Sequence, residues 1–286
     1  MIKPNNRLRL IPSWVRPWRS ARRLTLLAGV AVLAAASCRS APRGVAPIDT
    51  SDDYATAIET AHGIHAWWGW RALAADITVR FGGETALAGK LLMETKTARC
   101  RIDLADGPTL IFDGANAWVQ PPSSDFQGAR FHLLTWSYFI GVPMKLRDPG
   151  TVLVPMGLRR LRGKTLSAAR LTFEPGVGDT PDDWYITYAD PGTNRLAALA
   201  YIVTYGKDAA EAETEPHAIS FGGFETIDGV TVSTRWRFWD WSEEAGIHGP
   251  QLGDASLANV QFVEPEPDAF KPGENARRED LPGGGG

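Results

Sequence analysis

The sequence predicts a mainly β fold with helices, an α+β arrangement in which a curved antiparallel sheet is closed by helices. Three observations predict it. From Asp76 onward, segment after segment alternates apolar and polar residues with a period of two, separated by Gly, Pro, Asp and Asn turn signals. One amphipathic helical segment precedes these strands, and a second helical segment, apolar nearly all round, interrupts them. An antiparallel sheet with one apolar face must curl around something or be capped, and a curved sheet closed by helices does both.

The first thirty-seven residues stand apart. Arg7, Arg9, Arg16, Arg19, Arg22 and Arg23 precede an apolar run from Leu24 to Ala36, with no acidic residue among them. The run ends in Ala34-Ala35-Ala36-Ser37 and then Cys38. A basic region, a short apolar core and small residues before a cleavage point make a secretory signal. The core is shorter than the roughly 20 residues that cross a bilayer. Residues 38–52 are then expected to be a tether, 53–273 the folded domain and 274–286 a disordered tail, the Glu, Pro and Asp alternation beginning at Glu264.

Within the domain, Thr50 offers an N-cap and Asp52 and Asp53 supply acids for a first turn. Tyr54, Ile58, Ala61, His65 and Trp68 follow at helical spacing, predicting a helix to about Ala72. Leu110-Ile111-Phe112 and Ala117-Trp118-Val119 flank an Asp113 to Asn116 turn. From Phe126 to Ile140 the chain reads as the apolar helix, stopped by Gly141 and Pro143. Trp184, Ile186 and Tyr188 alternate with Tyr185 and Thr187, and Leu199, Tyr201, Val203 and Tyr205 share a face of the next strand. Asp228-Gly229 predicts a two-residue hairpin loop. Beyond it, Val232, Trp236 and Phe238 form a buried face opposite Ser233, Arg235 and Arg237, and Val260 and Phe262 share a last strand.

Composition narrows the function. A net charge of −3 gives no global reason to expect a nucleic-acid partner. With Cys38 set aside as the residue that follows the signal and carries its lipid in the resemblance described below, Cys100 is the only cysteine left, so no internal disulfide is expected. No G-x-S-x-G elbow, H-E-x-x-H pair or Walker loop occurs, so the expectation is a non-enzyme without cofactor, acting as a monomer. His62 and His65 have a spacing at which two imidazoles can share a metal, but no further ligand cluster accompanies them, and hydrogen-bonded packing histidines are the expectation. Asp179, Asp182 and Asp183 lack calcium-loop spacing and read as turn caps. Lys145, Arg147, Arg159, Arg160, Arg162 and Lys164 fit either an anionic headgroup surface or a charge-blunted strand edge.

Small residues directly before Cys38 resemble the lipobox of bacterial lipoprotein precursors, with Ala35 where leucine is more usual. The resemblance implies a lipidated Cys38, and Arg39 after it implies the outer membrane facing the periplasm; an ordinary cleaved signal and a soluble periplasmic or secreted protein is the alternative. Arg22-Arg23 leaves the general and twin-arginine export routes both open.

A second resemblance covers about Asp53 to Phe270. His62-Gly63-x-x-Ala66-Trp67, Asp113-Gly114-x-x-Ala117-Trp118, Trp136-x-Tyr138-Phe139, Asp148-Pro149-Gly150, Pro181-Asp182-Asp183-Trp184-Tyr185 and Tyr201 to Tyr205 look like a family of bacterial envelope proteins of unknown function near the LolA/LolB superfamily of lipoprotein carriers and receptors. That resemblance implies a half-barrel with a helical lid over an apolar cavity. It makes Trp118, Trp136, Phe139, Trp184, Tyr201, Phe221, Trp236 and Phe238 the candidate wall of a site for a lipid or acyl chain. Two readings stay open beside it: an interaction lipoprotein whose interior its own side chains fill, and an enzyme with an unrecognised polar site.

Overall fold

The computed structural model describes residues 50–281. The signal segment, Cys38 and all but the end of the tether lie outside the described residues.

Helix α1 spans Ser51–His62 and α2 Ile64–Gly69. Thr50 caps α1 as its residue type predicts, its hydroxyl accepting from the Asp53 N–H. The single helix expected to reach Ala72 is instead broken at Gly63, whose left-handed φ of +82° lets its N–H bond back to Glu59 and Thr60 carbonyls. The break rotates the apolar stripe. Ile64 and Trp67 are buried, whereas Trp68, expected on the buried face, is 53% exposed. Gly63 also has no room for a side chain, since a Cβ there would lie 2.0 Å from the Gly229 carbonyl oxygen. Gly63→Ala is therefore expected to cost more than about 2 kcal/mol, the left-handed backbone alone costing roughly 1–2. A urea midpoint within error of wild type would contradict that packing.

Thirteen strands follow: β1 Ala72–Phe81, β2 Glu84–Glu94, β3 Cys100–Leu104, β4 Thr109–Phe112, β5 Ala117–Gln120, β6 Thr151–Leu161, β7 Lys164–Phe173, β8 Tyr185–Ala189, β9 Leu196–Tyr201, β10 His217–Ile227, β11 Val230–Ser242, β12 Gly246–Val263 and β13 Arg277–Glu279. They form one open antiparallel sheet in the order β13-β5-β4-β3-β2-β1-β12-β11-β10-β9-β8-β7-β6. This is the curved, helix-covered antiparallel sheet expected from the sequence. Most neighbours are joined by short hairpins, such as the Asp228-Gly229 loop between β10 and β11, where both residues have positive φ.

Helix α3, Ala129–Gly141, starts three residues later than the spacing predicts, because Gly128 caps it with a φ of +78°. A 3-10 turn at Val142–Met144 ends it, with Pro143 inside the turn. A short α4, Ala209–Ala212, is capped by Asp208.

The sheet is apolar on both faces over part of its width. One face carries the main core, to which β1 supplies Leu73, Ala75, Ile77 and Val79 and β11 supplies Val232, Trp236 and Phe238, with α1, α2 and α3 packed on it. The other face carries a smaller cluster of Trp184, Ile186, Tyr188, Ile202 and Trp241, to which α4 contributes Ala212. Strand β8 is consequently buried at every position.

The expected disordered tail is corrected over its described part. Arg277–Glu279 pairs with β5 as a thirteenth strand, Phe270 is buried, and Arg277 donates to the Phe126 carbonyl at 2.8 Å. Its composition reads as solvated because the partner edge lies about 160 residues away in sequence, beyond any local pattern.

Candidate functional site

Helix α3 has two apolar faces with different duties. Leu133, Trp136, Ser137 and Ile140 are buried in the core. Phe131, Leu134, Thr135 and Tyr138, at the spacing of one helix face, line a cavity of about 430 Å³. The facing wall comes from Phe173 of β7, Tyr185 of β8, Tyr201 of β9 and then Val203 and Tyr205. Ring contacts knit the wall: Tyr138 to Tyr185 at 5.3 Å, Phe139 to Tyr201 at 5.3 Å and Phe131 to Tyr205 at 5.4 Å between centroids. A helix without a polar face is thus accounted for by a packed side and a cavity side.

The charged residues of the cavity lining are already committed. Arg130 holds Asp179 through two hydrogen bonds, Lys145 meets Asp148 at 3.1 Å, and Arg99 holds Glu94. Among the described residues Asp183 has no cationic partner; it accepts from the Thr204 N–H at 2.7 Å, the Thr204 hydroxyl at 2.8 Å and the Thr180 hydroxyl at 2.7 Å. Burial raises its carboxyl above the ordinary range against the pull of those bonds. The lining is therefore aromatic, with paired charges and one buried carboxylate.

Of the eight aromatic residues singled out from sequence, Phe139 and Tyr201 reach this cavity. Trp136, Trp236 and Phe238 are buried in the main core, where Phe238 packs on Phe81 and Trp136. Phe221 lines a crevice of about 10 Å³, room for no more than about one water. Trp118 and Trp184 face away from the cavity. Trp118 alternates with the core residues Ala117 and Val119 and donates its indole N–H to Asp113, and Trp184 packs on Trp241 in the smaller cluster. The residues that sequence reasoning passed over are Phe131, Leu134, Tyr138, Phe173, Tyr185, Val203 and Tyr205. The β8–β9 register, visible only in the structure, sets Tyr185 directly opposite Tyr201.

The other sequence candidates separate. His62 is buried, its Nδ1 bonded to the Thr231 carbonyl at 2.8 Å and its Nε2 accepting from the Leu196 N–H at 3.0 Å, while His65 is exposed beside Trp68. Burial lowers the His62 imidazole to about 4. Among the described residues, no three His, Cys, Asp or Glu side chains converge as metal ligands. The six basic residues divide. Lys145 and Arg147 pair with Asp148 and Glu59, and the remaining four lie along β6, the edge strand, and its turn into β7.

The sequence matches no protein-family model and no curated protein. The structure is similar to a LolA superfamily protein from Nitrosomonas europaea (10% identity, 76% of this chain and 96% of that one, TM-score 0.49). It is similar to a DUF1329 family protein from Desulfovibrio piger ATCC 29098 (14%, 75% and 95%, TM-score 0.48). A putative outer membrane lipoprotein-sorting protein domain from Vibrio parahaemolyticus matches to the same extent (11%, 75% and 95%, TM-score 0.47). These neighbours include the superfamily that the sequence motifs resemble. None reaches a TM-score of 0.5, so none bears on the ligand.

Proposed function

We propose that this chain is an exported, lipid-anchored envelope protein that binds a hydrophobic ligand, a lipid or acyl chain, in the cavity between α3 and strands β7 to β9. The observation that carries this reading is the cavity itself. Its volume of about 430 Å³ falls within the roughly 300–1,000 Å³ of small-molecule sites, and its walls are rings and aliphatic side chains. Transfer of an alkyl chain into it gains about 25 cal/mol per Å² of apolar surface removed from water. The cationic groups of the lining are already paired, which disfavours a ligand held mainly by its negative charge. The same pairing supports binding without a chemical step.

The test is titration of the purified protein with N-phenyl-1-naphthylamine, whose fluorescence rises in apolar surroundings, followed by displacement with medium-chain lipids. Saturable binding and displacement are expected. A probe that stays dark favours the filled-core interaction lipoprotein, a reading that the burial of Trp136, Trp236 and Phe238 in the core also supports.

Anchoring rests on Cys38 and the small residues before it. No helix among the described residues is long and apolar enough to cross a membrane. Acyl chains on Cys38 would then supply the attachment, at about 0.8 kcal/mol per buried CH₂. Cys38→Ser is expected to move the protein from the membrane pellet to the soluble fraction of lysed cells. Retention in the pellet at the wild-type level would show that the lipid is not the anchor.

A further inference from the structure

Helix α3 begins without a cap of its own. Its N-cap is Gly128, which has no side chain to accept from the first amides of the helix. The acceptor comes instead from β13, 149 residues further along, where Glu279 Oε1 accepts from the Arg130 N–H at 3.3 Å. The Gly128 and Ala129 amides also stabilise that carboxylate. Arg277 secures the approach to the helix, donating to the Ser124 and Phe126 carbonyls at 3.3 and 2.8 Å.

The same turn of α3 borders the cavity. The Arg130 guanidinium holds Asp179, in the loop between β7 and β8, through two bonds and donates to the Ala115 carbonyl at 3.0 Å. Arg130, Phe131, Asp179 and Tyr205 all line the cavity, with the Phe131 and Tyr205 rings 5.4 Å apart. Glu279 therefore fixes the first turn of a helix whose next residues form a cavity wall and grip the loop opposite. The hold is slight, because β13 is three residues long and pairs only with β5 at the edge of the sheet. Short terminal segments on an edge open at a lower cost than core strands. A cavity wall that depends on such a strand for its first turn loosens when the strand leaves.

Resting on the hydrophobic-ligand reading above, we propose that β13 is a strap that paces ligand exchange. With Glu279 and Arg277 in place, the first turn of α3 stays against the cavity; with them released, it moves aside and a ligand enters or leaves. Stopped-flow release of N-phenyl-1-naphthylamine is compared in wild type, Glu279→Ala, Glu279→Gln and a chain lacking residues 274–286. Release is expected to quicken at least about threefold in Glu279→Ala, the effect of losing a helix cap, and further in the shortened chain. Glu279→Gln keeps an acceptor oxygen and should stay within about twofold of wild type. Neither Glu279 nor Arg277 lines the cavity, so equilibrium affinity should move less than about twofold throughout. Hydrogen exchange of amides 130–133 should quicken in the same order, while that of β1 should not. Release at the wild-type rate in both Glu279→Ala and the shortened chain would overturn the strap. Faster exchange in α3 with unchanged release would overturn it equally, leaving the contact a structural one. A probe that fails to bind wild type removes the hydrophobic-ligand reading itself and this inference with it.

Discussion

Leu134→Trp is expected to weaken binding of the apolar probe by at least about tenfold, or about 1.4 kcal/mol, without unfolding the protein. Leu134 sits on the cavity face of α3, between Phe131 and Tyr138, and opposite it stand rings of β7, β8 and β9. An indole at this position enters space that a ligand would occupy. Overpacking a filled core costs about 1–3 kcal/mol, but here the added atoms meet open volume, so a stability change below about 1 kcal/mol is expected. Trp118→Phe is the control, because Trp118 lies on the opposite face of β5 beside Asp113. It should leave probe binding unchanged. Loss of binding in Trp118→Phe, or full binding in Leu134→Trp, would place the ligand elsewhere.

The second large effect is on stability and concerns His62. Its imidazole joins α1 to β9 and β11, donating from Nδ1 to the Thr231 carbonyl and accepting at Nε2 from the Leu196 N–H. That pattern requires the neutral ring, and burial lowers it from 6.5 to about 4. Above pH 6.5 the stabilisation is complete. Between 6.5 and 4 the unfolded chain takes up a proton that the folded chain refuses, so stability falls as the pH is lowered. Below about 4 both states are protonated and the loss is finished. At about 1.4 kcal/mol per unit, the fall is on the order of 3 kcal/mol. Urea unfolding of wild type and His62→Gln between pH 7 and pH 4 isolates it. The carboxylates held low by their partners, such as Glu94 beside Arg99, contribute equally to both proteins and cancel. The stability advantage of wild type over the variant should shrink by about 3 kcal/mol across the window. An advantage that stays constant would show that His62 titrates normally.

These two residues differ in how visible they are from the sequence. His62 follows Tyr54 and Ile58 on a helical stripe, which marks it as a packing histidine, though its partners, more than 130 residues away, are set by the sheet. Leu134 belongs to a helix whose apolar residues run all round. Composition shows that such a helix is covered, but not which side meets the sheet and which meets a cavity. The same ambiguity produced the choice of Trp184 over Tyr185. Period-two alternation separates two faces of a strand only when one of them is wet, and β8 is buried on both.

Local patterns in the chain specify the strand-rich class, the cap at Thr50, the Asp228-Gly229 hairpin and the apolar helix. Each of these is a local property, written in the spacing of neighbouring residues or in the backbone freedom of one glycine. Tertiary structure alone decided that Gly63 breaks the first helix against the Gly229 carbonyl and that the tail becomes β13 on β5. It alone brought Tyr138, Tyr185 and Tyr201 to one cavity. Those outcomes depend on strand register and on which buried face looks inward, quantities fixed by contacts between distant segments rather than by any window of the chain.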